Sequence, residues 1–343
     1  MTETYPMAVV TEPGRIEMLE KPLPALGLED VMIQVKATTI CGSDLHIFKG
    51  KHPAAELPVP VGHEIAGEVI ETGSAVADIA VGDRVAVEPV INCGICHFCR
   101  RGKYHLCTDI SFQYRVGQGG FTPFFVVHHR FAHRLPDGIS FEEGALVEPL
   151  SVAVHAVKKA QLQIGQQVAV WGGGAIGLLV LMLSRLAGAS TMVVDINPFR
   201  LEWAKKLGAA HVINSSEEEA VAVIIEQTAG LGVDVSFEAV GLEITLLQAL
   251  QALKKGGQAM VLGIFEEPQI ELPANIFVQK EIRLSGSQGY NWDFQESLRI
   301  LEQGALDLAP LITHEFSTDQ VQDAFDLLMQ PDNQAVKVVV KSS

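Results

Sequence analysis

Apolar and polar residues in the middle of the chain alternate between two patterns. The apolar run at 167–171 (QVAVW) predicts a buried strand, and a helical apolar pattern follows it as far as Gly188. Further strand patterns separated by amphipathic helices predict a doubly wound parallel α/β sheet of six strands. The other predicted strands are 191–195, 211–216, 233–241, 256–264 and 281–289, and the amphipathic helices are 198–208, 216–230 and 243–256.

The regions on either side of this sheet have a different pattern. Before about residue 150, short alternating segments indicate strands and turns. After residue 290, two helical patterns precede a final strand pattern. The early strand patterns are 31–40, 64–73, 84–90 and 121–129, and the late elements are 292–304, 317–330 and 336–343.

Composition narrows the class of protein. Twenty-five Lys and Arg against 41 Asp and Glu give a net charge of −16, which argues against binding to nucleic acid or to anionic membranes. The length of 343 residues predicts about two domains. The N-terminal segment lacks a signal-peptide pattern, and the longest apolar stretch, 175–183, is too short to span a bilayer. We therefore expect a cytoplasmic protein.

Four of the five cysteines lie within 15 residues, in the pattern C-x2-C-x2-C-x7-C. Such crowding suits four thiolates around one zinc ion better than two relaxed disulfides. Four protein ligands leave no open coordination position, so this zinc is predicted to be structural. The residues of this four-cysteine lobe are Cys93, Cys96, Cys99 and Cys107.

Other polar residues interrupt apolar segments and suggest a second metal site. Cys41 precedes a hydroxyl, a carboxylate and an imidazole, His63 and Glu64 follow an apolar run, and Glu148 lies within Leu146–Leu150. A carboxylate among apolar neighbours is costly unless it is paired or bound to a metal. Each residue has a simpler interpretation as a cap, a turn or a solvated side chain. Together they predict an open zinc site with three protein ligands, or four if both glutamates take part.

The strand at 167–171 runs directly into G-x-G-x-x-G, and a helix follows. This context predicts dinucleotide binding, with the pyrophosphate at the helix N-terminus. Asp195, 21 positions after the second motif glycine, would accept hydrogen bonds from the adenosine ribose and would repel a 2′-phosphate. The pattern therefore favours NAD over NADP, although Arg200 could instead accommodate that phosphate. The predicted phosphate-binding residues are Gly172, Gly174, Ala175, Ile176 and Gly177.

The order and spacing of these motifs along essentially the whole chain resemble the zinc-dependent medium-chain alcohol dehydrogenases. Glu148 before a Pro-Leu pair looks like the branch of polyol (sorbitol) and threonine dehydrogenases. The resemblance implies a GroES-like β-barrel catalytic domain, split as 1–153 and 290–343, and a Rossmann domain at 154–289. It further implies an active site in the cleft between the two domains.

The same resemblance implies roles for the candidate residues. Cys41 and His63 hold the catalytic zinc, and Glu64 and Glu148 share the remaining role, one binding zinc and the other holding its water. Ser43 accepts the alcohol proton, and His46 passes it to bulk water. With two zinc ions and NAD, the expected reaction removes a hydride from a secondary alcohol of a polyol, a sugar acid or a related hydroxy compound.

The substrate and the assembly are less well defined by the sequence. Ile47, Phe48 and Phe121 are expected to line the substrate pocket, while residues 287–291 lack the arginine typical of polyol dehydrogenases. A threonine-type amino alcohol dehydrogenase and an idle NAD-binding regulatory protein are the alternatives. An edge strand at 281–286, together with the resemblance, predicts a homodimer or homotetramer.

Two adjacent histidines, His128 and His129, fall within the strand pattern at 121–129. Successive side chains of a strand point to opposite faces, so this pair is expected to be a poor metal site.

Overall fold

The computed structural model describes residues 4–52, 55–267 and 269–342, which divide into two compact units. The first unit comprises residues up to Glu148 together with Phe294 onwards, and the second runs from Pro149 to Asp293. The domain boundaries predicted from the sequence, after residues 153 and 289, lie five and four residues from these divisions. In the described part of the chain, we find no helix with the length and apolar character that crossing a membrane requires.

The first unit is built mainly from short strands. Its largest sheet has seven strands, most of them antiparallel. The elements as far as the second unit are β1 Thr4–Glu12, β2 Arg15–Pro22, β3 Asp30–Thr39, α1 Gly42–Phe48, β4 Val59–Pro60, β5 Glu64–Thr72, β6 Arg84–Val87, β7 Val90–Ile91, β8 Ser111–Phe112, β9 Phe124–His128, β10 Ala132–Arg134, α2 Phe141–Ala145 and α3 Val147–Ala160.

The second unit carries the predicted alternation of strands and helices, after which the chain returns to the first unit. Its elements are β11 Gln167–Trp171, α4 Ala175–Leu186, β12 Ser190–Asp195, α5 Pro198–Lys206, β13 His211–Asn214, α6 Ala220–Gln227, β14 Val233–Glu238, α7 Glu243–Gln251, β15 Leu253–Val261, α8 Asn275–Lys280 and β16 Arg283–Gly286. The remaining elements are α9 Asp293–Glu302, β17 Ile312–Ser317, α10 Val321–Met329 and β18 Lys337–Lys341.

The sheet of the second unit confirms the predicted fold class. All five pairs are parallel, in the order β13-β12-β11-β14-β15-β16. Its central strands β11, β12 and β14 are mostly buried, and a core that includes Trp171, Leu246 and Leu250 forms against the sheet. The first strand, β11, is central, so the order reverses beside it, which is where doubly wound sheets bind ligands.

The main sheet of the first unit follows the path β10-β6-β5-β3-β18-β17, with β9 also paired to β3. Within the described residues this pairing is an open path, so the closed barrel stays a prediction. The strand β18 adds to β3 in antiparallel register, with Val339 opposite Thr39. A late segment of the chain thereby becomes part of the sheet that carries the early motifs.

Two element boundaries in the second unit differ from the prediction. The helix predicted over 243–256 ends at Gln251, and Leu253 already pairs with Val233 in the sheet. A shift of register between Val233 and Val235 accommodates the intervening residues. The helix predicted over 216–230 begins only at Ala220, so its acidic residues 217–219 precede the first turn.

Three residues expected to line a substrate pocket are buried in an apolar cluster of the first unit. Ile47, Phe48 and Phe121 are between 1% and 4% exposed and belong to one apolar cluster. The ring centroids of Phe48 and Phe121 lie 5.2 and 5.9 Å from that of Phe325 on α10. The helix α10 therefore covers part of the face that these residues present, and their contact with a substrate stays a prediction.

The expected separation of His128 and His129 is also wrong. The strand β9 ends at His128, and a single 3-10 turn begins at His129. The change of backbone conformation brings the two rings together, with centroids 4.8 Å apart and planes 23° apart. Alternation of side chains holds only while the strand continues.

Candidate active site and metal centres

Three of the predicted zinc ligands meet at one end of the main sheet. One ligand atom from each of Cys41, His63 and Glu64 lies within 4.8 Å of the others. Glu64 is the first residue of β5, His63 directly precedes it, and Cys41 caps α1 just after β3. Because β3 and β5 are antiparallel, the end of one strand lies beside the start of the other.

The Asp44 carboxylate contacts both Cys41 and His63 and holds them in position. It accepts hydrogen bonds from the amides of Cys41 (3.0 Å) and Gly62 (3.1 Å), and it lies 3.3 Å from His63 Nδ1. Burial alone would lower the pKa of His63, but the charges of Asp44 and Cys41 hold that pKa well above its usual value. A buried carboxylate that pairs with one imidazole nitrogen orients the ring so that the other nitrogen can bind a metal.

The Glu64 carboxylate is completely buried, and its two oxygens have different surroundings. Oε2 accepts hydrogen bonds from the Thr39 hydroxyl and from the Lys337 ammonium group. Oε1 is buried without a hydrogen-bond partner. Leaving a charged oxygen unpartnered in the interior is costly unless a cation completes it. Zinc fits this donor set of thiolate, imidazole and carboxylate.

Lys337 is the charged residue that the sequence interpretation missed. Its side chain is 3% exposed, and its ammonium group also donates to the Ile40 carbonyl at 3.0 Å. Burial lowers the pKa of Lys337, but the charges of Glu64, Cys41 and Glu148 outweigh this effect and raise it. The one available signal was a lysine inside an otherwise apolar strand pattern, residues 335–340.

Glu148 lies in the first turn of α3 and is 6% exposed. It acts on Lys337 through its charge. Among the described residues, the group whose ligand atoms meet within 4.8 Å includes Glu64 and leaves out Glu148. The two glutamates therefore share the neighbourhood of Lys337, but only Glu64 lies in the group with Cys41 and His63.

The predicted proton-transfer residues lie on the short helix α1, where Ser43 and His46 are both half-buried. Residues three positions apart share a face of a helix, so the two side chains are neighbours along α1. His46 lies close enough to His52 for its charge to lower the pKa of that ring, to which burial contributes more.

The four-cysteine lobe is preformed for one metal ion. The ligand atoms of its four cysteines lie within 4.8 Å of one another, and all four are free thiols. Amide groups of Cys93, Cys99 and Asp109 donate to sulfur atoms of the lobe at 3.4 to 3.5 Å. Such donors lower the pKa of Cys96 to about 5, whereas burial raises that of Cys99 to about 12. A tetrahedral zinc ion fits this set of thiolates.

The glycine loop after β11 is shaped to approach a ligand closely. Gly172 has φ of +103°, which favours glycine, and a Cβ on Gly177 would lie 1.8 Å from the Gly172 carbonyl oxygen. A Cβ on Gly174 would meet nothing within 4 Å, so open space remains at the N-terminus of α4. Ala175 and Ile176 form the first turn of that helix, whose free amides and dipole suit a pyrophosphate.

Asp195 and Arg200 both lie against this loop. The Asp195 carboxylate accepts hydrogen bonds from the amides of Gly173 (2.6 Å) and Asn197 (2.8 Å). A Cβ on Gly173 would lie 3.1 Å from the Arg200 Cβ, and the buried Arg200 Nε has no hydrogen-bond partner. Each carboxylate oxygen has a second lone pair and can accept from a ribose hydroxyl as well. The loop and Asp195 therefore fit a dinucleotide.

Comparisons with known proteins agree with this geometry. Residues 27–137 match the alcohol dehydrogenase GroES-like domain, and residues 175–303 match the zinc-binding dehydrogenase family. Over its whole length, the chain is 37% identical to sorbitol dehydrogenase of Bacillus subtilis, covering 99% of each protein. It is 39% identical to L-idonate 5-dehydrogenase of Vitis vinifera (92% of this chain, 89% of that protein) and 36% identical to L-threonine 3-dehydrogenase of Pectobacterium atrosepticum (95% and 90%).

A solved structure gives the same result. A zinc-binding dehydrogenase from Sinorhizobium meliloti, bound to NADP, superposes with a TM-score of 0.91 at 30% identity, covering 99% of both chains. The chain therefore belongs to the zinc-dependent medium-chain alcohol dehydrogenase family. Within it, the chain falls in the polyol and threonine dehydrogenase branch. It is a dehydrogenase of a small hydroxy compound that uses zinc and a nicotinamide dinucleotide.

Proposed function

We propose that this protein oxidises a secondary alcohol of a polyol, a sugar acid or a related hydroxy compound with NAD. The observation that carries the proposal is the group of Cys41, His63 and Glu64, in which one buried carboxylate oxygen has no partner. Three protein ligands leave a coordination position for a substrate, as catalytic zinc sites require. An idle regulatory protein would have no need to keep such a position open.

The ligand roles follow from the contacts around the site. Cys41, His63 and Glu64 would hold the zinc, while Glu148 would act on the site through its charge. Asp44 orients His63, and Lys337 with Thr39 holds the second oxygen of Glu64. This division would leave Glu64 Oε1 available to bind the metal and would keep the buried charges paired.

Bound zinc supplies a Lewis acid that lowers the pKa of a hydroxyl group by several units, and the nicotinamide takes up the hydride. We infer that Ser43 accepts the hydroxyl proton and that His46 passes it to water. Both lie on α1, directly after the ligand Cys41. An imidazole suits this relay because it exchanges protons near neutral pH.

The preference for NAD rests on Asp195. Two backbone amides hold its carboxylate against the glycine loop, so the charge stands where a 2′-phosphate would lie. The similar Sinorhizobium protein is bound to NADP, and here Arg200 lies beside the same loop. The competing charges of Asp195 and Arg200 therefore decide the preference, which we assign to NAD.

We also propose a cytoplasmic homodimer or homotetramer. The strand β16 ends the order of the six-stranded sheet, so among the described residues one side of it has no neighbouring strand of that sheet. Arg283 is exposed, and Leu284 and Ser285 are half-buried, in keeping with an edge that can pair with a second copy. A 37 kDa monomer in sedimentation at micromolar concentration would contradict this assembly.

The activity is tested by absorbance at 340 nm with zinc-loaded protein, NAD and a panel of polyols, sugar acids and threonine. We expect turnover with a polyol or a sugar acid, and its loss in Cys41→Ser and His63→Gln. His211→Gln, at an exposed histidine of the coenzyme-binding unit, serves as the matched control. If the fully loaded protein oxidises none of these compounds, the proposal fails.

Threonine is the second candidate because of the 36% identity to a threonine dehydrogenase. In the same assay, preferential oxidation of threonine would favour the amino alcohol over the polyol. The two substrates differ in charge: threonine carries an ammonium and a carboxylate group, and a polyol carries neither. The ratio of kcat/KM for threonine to kcat/KM for each polyol, measured under the same conditions, decides between the two candidates.

A further inference from the structure

A third group of metal-ligating side chains lies in the first unit, outside the site and the lobe described above. One ligand atom from each of Glu29, His128 and His129 lies within 4.8 Å of the others. Glu29 is in the turn before β3, His128 ends β9, and His129 begins the following 3-10 turn. We propose that these three side chains form an exchangeable site for a divalent cation of the zinc class.

The backbone holds the three residues in place. Asp30, the first residue of β3, pairs with His128, and the His129 amide donates to the Glu29 carbonyl at 2.9 Å. The three ligands therefore lie at, or next to, the paired ends of β3 and β9. A site on paired strands needs little ordering when an ion binds, in contrast to one on free loops.

The distances suit a tetrahedral ion completed by water. His128 Nε2 and Glu29 Oε2 lie 3.6 Å apart. Two ligands that are each about 2.1 Å from a tetrahedral ion lie about 3.4 Å apart, so this pair needs little movement to bind. Imidazole nitrogen with carboxylate oxygen is a donor set that zinc and its neighbours in the transition series prefer.

The Asp78 carboxylate lies beside the ring of His129. Its Oδ1 lies 2.6 Å from His129 Nδ1, within ion-pair distance, although the contact lacks hydrogen-bond geometry and Nδ1 is buried without a hydrogen-bond partner. Metal-binding histidines commonly have such a carboxylate partner. Asp78 lies in the loop between β5 and β6, so an ion at His129 would also tie this loop to β9.

The charges around the group are mixed. Glu29, Asp30 and Asp78 lie around the two imidazoles and favour a cation. Burial and, after it, the charge of Arg130 lower the pKa of His128, and the Arg130 guanidinium is directed to the Phe131 ring and to Asn92. His128 Nδ1 accepts a long hydrogen bond, 3.3 Å, from the Arg130 amide. Binding through Nε2 gives up this bond, so we place the affinity in the micromolar range and not in the range of a structural zinc.

The test is a calorimetric titration of Zn²⁺ into protein whose two other zinc sites are already filled and whose excess metal has been removed. Zinc is the probe because the exchange of bound zinc for added zinc at those two sites produces no net heat. We expect one further equivalent to bind with a micromolar Kd. His128→Gln and His129→Gln should each weaken this binding at least tenfold, and Asp78→Asn should weaken it by about tenfold, the usual effect of losing a carboxylate partner.

Two comparisons make the result decisive. Glu29 and Asp78 are 64% and 65% exposed, so Glu29→Gln and Asp78→Asn test the site without threatening the fold. His211→Gln, at an exposed histidine on β13, should match the parent protein. No additional equivalent below millimolar zinc, or binding that survives loss of both His128 and His129, would overturn the proposal. The titration needs no substrate, so its outcome is independent of the catalytic assay.

Discussion

Replacing Lys337 by methionine should destabilise the protein strongly, because the change leaves the Glu64 carboxylate buried without its cation. The ammonium and carboxylate side chains are 3% and 0% exposed. Removing one member of a buried ion pair costs about 3–5 kcal/mol. Bound zinc neutralises part of the carboxylate charge, so we expect the lower end, about 3 kcal/mol, in the zinc-loaded protein.

A double-mutant cycle separates this effect from lost packing. The ammonium group also donates a hydrogen bond to the Ile40 carbonyl. This bond is lost both in Lys337→Met and in the double variant Lys337→Met with Glu64→Gln, so its loss cancels in the comparison. We expect the double variant to be less destabilised than the sum of the single variants, by at least about 1 kcal/mol. Chemical denaturation of the zinc-loaded proteins, followed by circular dichroism, provides the comparison.

The control is Lys341→Met on the same strand, β18. Lys341 is 43% exposed and pairs with Glu142 and Glu315 at the surface, so its loss should cost no more than about 1 kcal/mol. If Lys337→Met and Lys341→Met cost the same, or if the effects of Lys337→Met and Glu64→Gln are additive, the buried pair does not stabilise the site as we argue.

Three further predictions concern the metals and the cofactor. After loading and removal of exchangeable metal, analysis should find two zinc ions per chain, and a single zinc would contradict this. A chelator should abolish activity before it unfolds the protein, because the four-cysteine lobe has no open position. Asp195→Ser should lower NAD efficiency by about ten- to a hundredfold and raise NADP use, and an unchanged ratio of the two would exclude contact with the ribose. Glu148→Gln should weaken zinc binding by about ten- to a hundredfold and shift the acid limb of kcat/KM to lower pH. Glu64→Gln should affect metal content more than Glu148→Gln does, and no change in either variant would leave Cys41 and His63 as the only supported ligands.

The sequence predicted best those features that depend on residues close to one another along the chain. The alternation of apolar strands and amphipathic helices predicted the parallel sheet, because each strand needs a covering helix. The spacing of the four-cysteine lobe predicted a cluster that the structure brings together. Likewise, the need for glycine at 177 is visible in the motif and is explained by the 1.8 Å that a Cβ would leave to the Gly172 carbonyl oxygen.

Contacts between distant segments were not predictable in this way. Lys337 and Glu64 are 273 residues apart, and nothing in the local pattern of either shows that β18 adds beside β3. The end of α7 was misplaced because residues 253–256 are compatible with a helix but begin β15, where Leu253 pairs with Val233 of β14. Similarly, the stacking of His128 on His129 depends on where β9 stops, and the alternating pattern does not mark that point.

The pairing of Lys337 with Glu64 also has a consequence for biosynthesis. At about 5–20 residues per second, the ribosome takes roughly 15–55 s to add the 273 residues that separate the two. Throughout that interval the nascent first unit contains Cys41, His63 and Glu64 but lacks the ammonium group that holds one carboxylate oxygen. The residues of the coenzyme-binding unit, Pro149–Asp293, are synthesised in the same interval and can fold meanwhile. If these residues hold the zinc as proposed, we expect metal to enter with the final ligand geometry only after β18 has arrived, late in the maturation of the enzyme.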